Sequence, residues 1–212
     1  MKQSLLVTAV AAALASVASA QYSDSSFDLF DNGFDNLDIT GVNVSDDGSN
    51  LSIAVTTRGF QTWTKYMMYF NTSNAGTTSN GWGRPVNLTS NIDYYVGSWV
   101  DAPSDNVQFW SWGGSSWGQT GTLTNSVSGN TVTFTLSLAS LGLSAGQTIY
   151  FDVATSGGGN DPGVDHLSRS DAATPGWGTA STSGNFLAYT TVPAPGAIAL
   201  LGLAGLAGRR RR

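Results

Sequence analysis

Apolar and polar residues alternate with a period of two through much of the chain. In the segment 131–138 the alternation is strict, and Val132, Phe134 and Leu136 fall on one face. Because successive side chains of a β-strand point to opposite faces, this pattern predicts a strand with one buried side. Similar alternating or aromatic-rich runs of strand length occupy residues 37–44, 51–55, 66–70, 94–100, 107–112, 147–153 and 186–190.

Short clusters of turn-forming residues separate these runs, and helical periodicity is nearly absent. The clusters are rich in Gly, Asn, Asp and Ser, which favour turns, and they occupy residues 46–50, 79–81, 128–130 and 157–160. Residues 140–143 have the pattern of a single helical turn. Many short strands separated by turns predict an all-β fold, with one antiparallel β-sandwich over residues 21–190.

Residues 1–20 have the three parts of a secretory signal peptide. Lys2 supplies the positive charge, residues 5–17 form the apolar stretch, and the small residues Ala18 and Ala20 mark the cleavage site. The sequence turns polar immediately afterwards. We therefore expect an N-terminal signal helix, and an exported protein whose mature chain begins near Gln21.

Residues 191–212 differ in kind from the predicted domain. Two prolines, which cannot donate backbone hydrogen bonds, precede an apolar stretch at 196–208. As a helix, that stretch spans about 20 Å, short of the roughly 30 Å hydrocarbon core of a bilayer. The arginines that follow it would stay on the cytoplasmic side. This favours transient membrane insertion of a C-terminal sorting helix, and a permanent anchor is the alternative.

The tail resembles the PEP-CTERM sorting signal of bacterial exported proteins, which combines a Pro-x-Pro motif, a short apolar helix and an arginine cluster. Ala194 stands where that family usually has glutamate. The resemblance implies that an exosortase-type protease recognises and cuts the tail at the cell surface. The residues that carry it are Val192, Pro193, Ala194, Pro195, Arg209, Arg210, Arg211 and Arg212.

The predicted domain is strongly acidic. All fourteen acidic residues are aspartates within residues 21–190, against four basic residues there, which leaves a net charge of −10. Nucleic acid and anionic membrane surfaces attract basic proteins, so neither is an expected partner. The chain has no cysteine, which excludes disulfides, thiolate metal sites and a cysteine nucleophile. Export without disulfides fits a bacterial surface protein.

A succession of short motifs covers roughly residues 37–180. It runs through Trp63-Thr-Lys-Tyr66, Tyr69-Phe-Asn-Thr72, Gly81-Trp-Gly-Arg-Pro85, Asp93-Tyr-Tyr95 and Val164-Asp-His-Leu-Ser168. In this order the motifs resemble the β-sandwich modules related to family 9 carbohydrate-binding modules and the C-terminal module of glucodextranase. Asn71 and His166 depart from the family pattern, which usually has an aspartate and a small residue there. The resemblance implies a carbohydrate-binding β-sandwich.

Aromatic residues favour binding independently of that resemblance. Four of the seven tryptophans fall within residues 99–117, where amide and carboxylate side chains accompany them. Flat rings pack against sugar C–H groups, while polar side chains bond the hydroxyls. An exposed platform and a buried core remain equally open for Trp110 and Trp112, which share a face of one strand. The candidate carbohydrate-binding residues are Trp99, Trp110, Trp112, Trp117, Asp101 and Gln108.

Catalysis and metal binding are less well supported by the sequence than carbohydrate binding. A Ser-His-Asp arrangement would have to use His166, and a lone histidine in a loop usually lies at the surface. Asp28, Asp31 and Asp35 are calcium candidates because Ca²⁺ prefers several oxygen ligands. Their spacing does not match an EF-hand, and a solvated aspartate-rich leader is the favoured alternative. We expect no other cofactor.

Together these patterns predict an exported, surface-sorted and non-catalytic protein that binds extracellular polysaccharide. A structural or adhesive matrix protein without a glycan ligand is the first alternative. A glycoside hydrolase, which would need two paired carboxylates, is the second.

Overall fold

The computed structural model describes residues 18–73, 75–100 and 107–193. Within these ranges the chain forms thirteen strands and one 3₁₀ turn at Ala139–Leu141, and no helix there is long and apolar enough to cross a membrane. The strands are β1 (Ala18–Ser23), β2 (Ile39–Asp46), β3 (Asn50–Thr57), β4 (Lys65–Asn71), β5 (Val86–Asn87), β6 (Tyr94–Trp99), β7 (Val107–Trp112), β8 (Trp117–Ser128), β9 (Thr131–Ser137), β10 (Thr148–Ser156), β11 (Asp165–His166), β12 (Ser181–Thr182) and β13 (Leu187–Thr190).

Hydrogen bonding joins most strands into one curled antiparallel sheet. Its order is β1-β2-β3-β9-β8-β7-β6-β4-β10-β11, and β13 also pairs with β10. The twelve-residue strand β8 belongs to both halves, because residues 117–123 pair with β7 and residues 124–128 pair with β9. The prediction of an all-β antiparallel fold is confirmed, and the eleven described strands of this sheet curl around a shared core.

The concave face of the curled sheet encloses the main core. Every second residue of β9 points into it, and Val132, Phe134 and Leu136 are at most 2% exposed. Residues of β2, β3, β4, β6, β7 and β10 belong to the same cluster, so both halves of the sheet contribute. Burying a side chain of this size contributes about 1.5–3 kcal/mol. The predicted helical turn is the 3₁₀ turn, which ends at Gly142 in the left-handed conformation (φ 65°) that glycine adopts without strain.

The outer face around β4 is also buried. Met67, Tyr69 and Tyr95 point away from the main core, yet each is 0% exposed. They lie beneath two long connections, residues 72–93 and residues 157–186, which the parallel pair β5–β12 links to each other. This second apolar layer explains why nearly all of β4 is buried and shows no alternation.

The two ends of the described chain lie side by side against β2. Ala18 and Ala20, the predicted cleavage residues, belong to β1 and face Asp46 and Val44 in the sheet register. At the other end the backbone N–H of Val192 donates to the Asp46 carboxylate, and Pro193 is the last described residue. Residues 1–17 of the predicted signal peptide, the predicted sorting helix, Ala194, Pro195 and the four arginines lie outside the described residues.

Candidate functional site

An aromatic cleft opens on the outer face of β4, β6 and β7. It has a volume of about 420 Å³ and is lined by Lys65, Trp82, Arg84, Trp99, Gln108 and Gly159. Sheet register explains part of this grouping, because Lys65 pairs with Trp99 and Gly97 pairs with Gln108. Alternate residues of neighbouring strands therefore form one surface. Trp82 and Arg84 come from the covering connection 72–93 and close the cleft from the side.

Trp82 lies flat on the backbone of β6. A Cβ atom added to Gly97 would lie under 3.0 Å from three atoms of the indole ring, so only glycine leaves room for the ring. The rings of Trp82 and Trp99 have centroids 5.2 Å apart at an interplanar angle of 44°. Tyr95 meets Trp82 edge to face at 5.7 Å. Contacts on several sides therefore fix the orientation of Trp82.

Gln108 is the hydrogen-bonding centre of the cleft. Its Oε1 accepts from Trp82 Nε1 at 2.7 Å and from Trp110 Nε1 at 3.3 Å. Indole N–H groups only donate, so these bonds require the amide oxygen and direct the Nε2 donor elsewhere. Within the described ranges, no residue accepts a hydrogen bond from that Nε2. The amide thus presents a donor that a bound molecule can use.

Arg84 provides a positive charge beside the Trp82 ring. The residue is 8% exposed, and its guanidinium carbon lies 5.0 Å from the Trp82 ring centroid. Nη1 donates to Ser156 Oγ at 2.8 Å and to the carbonyls of Gly157 and Asp161. Burial lowers the pKa of Arg84 from its usual range, although an arginine remains charged. No carboxylate among the described residues forms an ion pair with it.

Lys65 and Trp99 form the outer rim of the cleft. Lys65 Nζ donates to the Trp63 carbonyl at 2.7 Å and lies 5.7 Å from the Trp99 ring centroid. Trp99 is the last residue of β6 and is half-buried, with one side against Trp82. The cleft therefore combines two indole rings, a free amide donor and two cationic side chains. This is a surface that suits a molecule with both apolar faces and oxygen acceptors.

The other candidate tryptophans lie beside the cleft rather than in its lining. Trp110 and Trp112 are half-buried on the outer face of β7, whereas Phe109 faces the main core. Trp110 packs against Gly81 and reaches the cleft only through Gln108. Trp112 pairs with Trp117 across β7 and β8, with ring centroids 5.6 Å apart. Asp101 lies outside the described residues.

Sequence reasoning had not named Trp82 and Arg84 as site residues. Both belong to the motif Gly81-Trp-Gly-Arg-Pro85, which carried part of the family resemblance but sits in a connection between strands. Gly81 itself is needed, because a Cβ there would lie under 3.0 Å from the rings of Trp110 and Tyr95. A glycine directly before a tryptophan was the signal that could have pointed to close packing of aromatic rings at this place.

His166 is fully buried rather than at the surface. Its Nδ1 lies 2.7 Å from Asp152 Oδ2, and its Nε2 lies 3.2 Å from Ser181 Oγ. These residues have the side-chain types and hydrogen-bond order of a catalytic triad. However, Asp152, His166 and Ser181 are all 0% exposed, and Tyr69 stacks on the imidazole at 6.0 Å. In this conformation no substrate can reach the Ser181 hydroxyl, so the group joins β10, β11 and β12 as a buried polar network.

The three aspartates named as calcium candidates do not lie together. Asp31 is exposed, and its carboxylate accepts the Gly33 N–H. Asp35 is exposed and pairs with Arg58 at 2.7 Å. Asp28 instead points inward, towards Asp38 and Asp165. The prediction from sequence spacing therefore combined two exposed residues, Asp31 and Asp35, with the partly buried Asp28.

Comparisons with known proteins leave the family open. No family model matches the chain, and no curated protein matches it. Among solved structures, one described as "pH-induced modulation of Streptococcus parasanguinis adhesion by Fap1 fimbriae" aligns with 12% sequence identity. The alignment covers 84% of this chain and 97% of that one, with a TM-score of 0.27. A TM-score this low carries no argument about fold or function.

Proposed function

We propose that this is an exported, surface-sorted and non-catalytic protein that binds carbohydrate in the aromatic cleft. The observation that carries the proposal is the pairing of Trp82 and Trp99 beside the unused amide donor of Gln108. Sugars present flat C–H faces and outward hydroxyls, and the cleft offers a partner for each. Its volume of about 420 Å³ is within the range of small-ligand pockets.

Preorganisation supports this assignment. Trp82 is held by Gly97, Gln108 and Tyr95, so its ring loses little freedom when a ligand binds. Rigid aromatic surfaces lower the entropic cost of association. Arg84 is likewise fixed through Nη1, while its Nε and Nη2 donate to no other described residue. Those two groups can donate to sugar hydroxyl, ring or carboxylate oxygens.

The export part of the proposal rests on the terminal segments. The signal-like residues 1–20 and the tail resembling PEP-CTERM would take the domain to the cell surface or the extracellular matrix, where polysaccharide is available. An exosortase-type protease would then remove the tail. Val192 is bonded to Asp46, so a cut after it would leave the folded domain with its last anchoring contact.

Titration calorimetry of the purified protein against neutral and uronic-acid oligosaccharides tests the binding. We expect saturable binding to at least one class, and we expect Trp99→Ala to weaken it about tenfold, since a stacked ring contributes about 1 kcal/mol or more. Trp63→Ala is the matched control, because Trp63 is exposed and does not line the cleft. The absence of binding to any glycan, or equal losses in both variants, would refute the proposal.

A structural or adhesive matrix protein is the second candidate. It is favoured by the half-buried Trp112–Trp117 pair at the end of β7 and β8, which lies beside the cleft and not in its lining. Under that function the same glycan series would give no heat of binding. A hydrolase remains the weakest candidate, because the Asp152–His166–Ser181 group is buried.

A further inference from the structure

Three aspartates from two distant parts of the sequence lie close together in the fold. Asp28 belongs to the leader, defined here as residues 24–38, Asp38 immediately precedes β2, and Asp165 begins β11. One carboxylate oxygen from each lies within 4.8 Å of the others. Folding therefore brings Asp165 beside two like-charged residues, Asp28 and Asp38, that precede it by more than a hundred positions.

The cluster is buried and incompletely bonded. Asp38 is 0% exposed and Asp165 is 3% exposed. Both oxygens of Asp28 and the Oδ1 of Asp38 are also shielded from water, yet none of the three has a hydrogen-bond partner within the described part of the chain. A buried carboxylate oxygen without a partner is costly, and a cation or a proton normally compensates for it.

Neighbouring groups only partly neutralise the three charges. Arg58 Nε pairs with the other oxygen of Asp38 at 2.9 Å. Asp165 accepts the backbone N–H groups of Ile39 at 2.6 Å and His166 at 2.8 Å. Burial raises the pKa of Asp165 well above its usual range, and the nearby charge of Asp24 raises it further. Burial, with the charge of Asp38, also raises the pKa of Asp28.

We propose that Asp28, Asp38 and Asp165 bind a calcium ion. The available ligands are all carboxylate oxygens, which suit the hard cations Ca²⁺, Mg²⁺ and Mn²⁺. Calcium fits best because it accepts six to eight oxygens in irregular geometry, whereas Mg²⁺ demands a near-ideal octahedron and retains its waters. Carbonyls and water would supply the remaining ligands. Asp31 and Asp35, the other sequence candidates, are not part of this set.

A bound ion would link the leader to the sheet, because its ligands come from both. The leader has no strand between β1 and β2, and its apolar residues Leu29 and Leu37 pack with Val164 in a small separate cluster. Asp165 follows Val164 directly, so the ion would lie beside that cluster. Calcium would thus stabilise the junction between the leader and β11, and metal-free protein would unfold more readily.

Thermal unfolding of the purified protein, first stripped with EDTA and then measured with and without 10 mM CaCl₂, tests the site. Extracellular modules bind calcium with dissociation constants of roughly 0.1–1 mM, so the melting temperature should rise by about 3–10 °C. An equal concentration of MgCl₂ should give a smaller rise. No response to calcium would overturn the proposal, and an equal response to magnesium would overturn the choice of ion.

Two variants separate binding from general charge effects. Asp28→Asn should abolish the calcium response and raise the melting temperature in EDTA, because it removes one of three mutually repelling buried charges. The Asp28 carboxylate has no hydrogen-bond partner among the described residues, so the variant should fold. Asp31→Asn, in the same leader, should respond to calcium like the parent protein. A retained response in Asp28→Asn, or a lost response in Asp31→Asn, would refute the proposed ligands.

Discussion

Gly97→Ala is the sharpest test of how the aromatic cleft is built. The added methyl group would lie under 3.0 Å from Cε2, Cζ2 and Cδ2 of Trp82, closer than real Cβ contacts allow. The indole ring must therefore lift off β6 and leave its 2.7 Å bond to Gln108. Overpacking of this kind costs about 1–3 kcal/mol, and we expect the melting temperature to fall by about 2–12 °C.

The matched control is Gly121→Ala on β8, because a Cβ at Gly121 would meet nothing within 4 Å. Melting temperature and tryptophan fluorescence should change in Gly97→Ala and stay near the parent values in Gly121→Ala. Any glycan affinity should fall only in the first variant. If the two proteins melt and fluoresce alike, the packing of Trp82 on Gly97 is wrong, whatever the ligand.

Two further predictions concern the buried network and the processing of the chain. His166→Ala should lower the free energy of unfolding by about 3–5 kcal/mol in urea denaturation, because it leaves the Oδ2 of the buried Asp152 carboxylate without its His166 partner. Asp171→Ala, which breaks an exposed pair with Arg169, should cost less than about 1 kcal/mol, and equal costs would argue against the network. Intact-mass measurement of protein from its native host should show a chain that starts near Gln21 and lacks the tail after residue 195. A C-terminus at Arg212 would contradict processing by cleavage.

The main core was predictable where a strand has one buried face and one solvent-facing side. The alternation in 131–138 predicted Val132, Phe134 and Leu136 as core residues, and all three are buried. The second apolar layer was not predictable in the same way. It depends on two long connections folding back over β4, and both faces of a covered strand are apolar. Period-two reasoning has no signal for such a strand.

Prediction of the cleft was also limited by the long connections, whose path the sequence pattern does not reveal. Trp99 and Gln108 were predicted from the tryptophan-rich segment 99–117 and its polar side chains, and both line the cleft. Trp82 and Arg84 depend on the path of the connection 72–93, which local pattern does not determine. Tryptophan density also drew attention to Trp112 and Trp117, whose proximity in sequence reflects pairing across a hairpin.

His166 shows how strand geometry separates sequence neighbours. Asp165 and Ser168 are its nearest candidates in the sequence, but Asp152 and Ser181 are its partners in the fold. Asp165 and His166 form β11, and adjacent strand residues point to opposite faces. Asp165 therefore turns towards the leader, whereas His166 turns towards β10 and β12. A triad proposed from adjacency alone would have named the wrong acid and the wrong hydroxyl.

The segment 156–166 contributes residues to the aromatic cleft, to the proposed calcium site and to the buried polar network. Variants in this segment can therefore affect more than one of them. The first residues of the segment hold Arg84 in the cleft, Asp165 belongs to the proposed calcium site, and His166 centres the buried network. A change at any of these residues can therefore disturb the cleft through the shared backbone. Trp99 is different, because β6 is paired on both sides by β4 and β7 and its ring forms the rim. A loss of affinity in Trp99→Ala at an unchanged melting temperature therefore reports on the cleft surface itself.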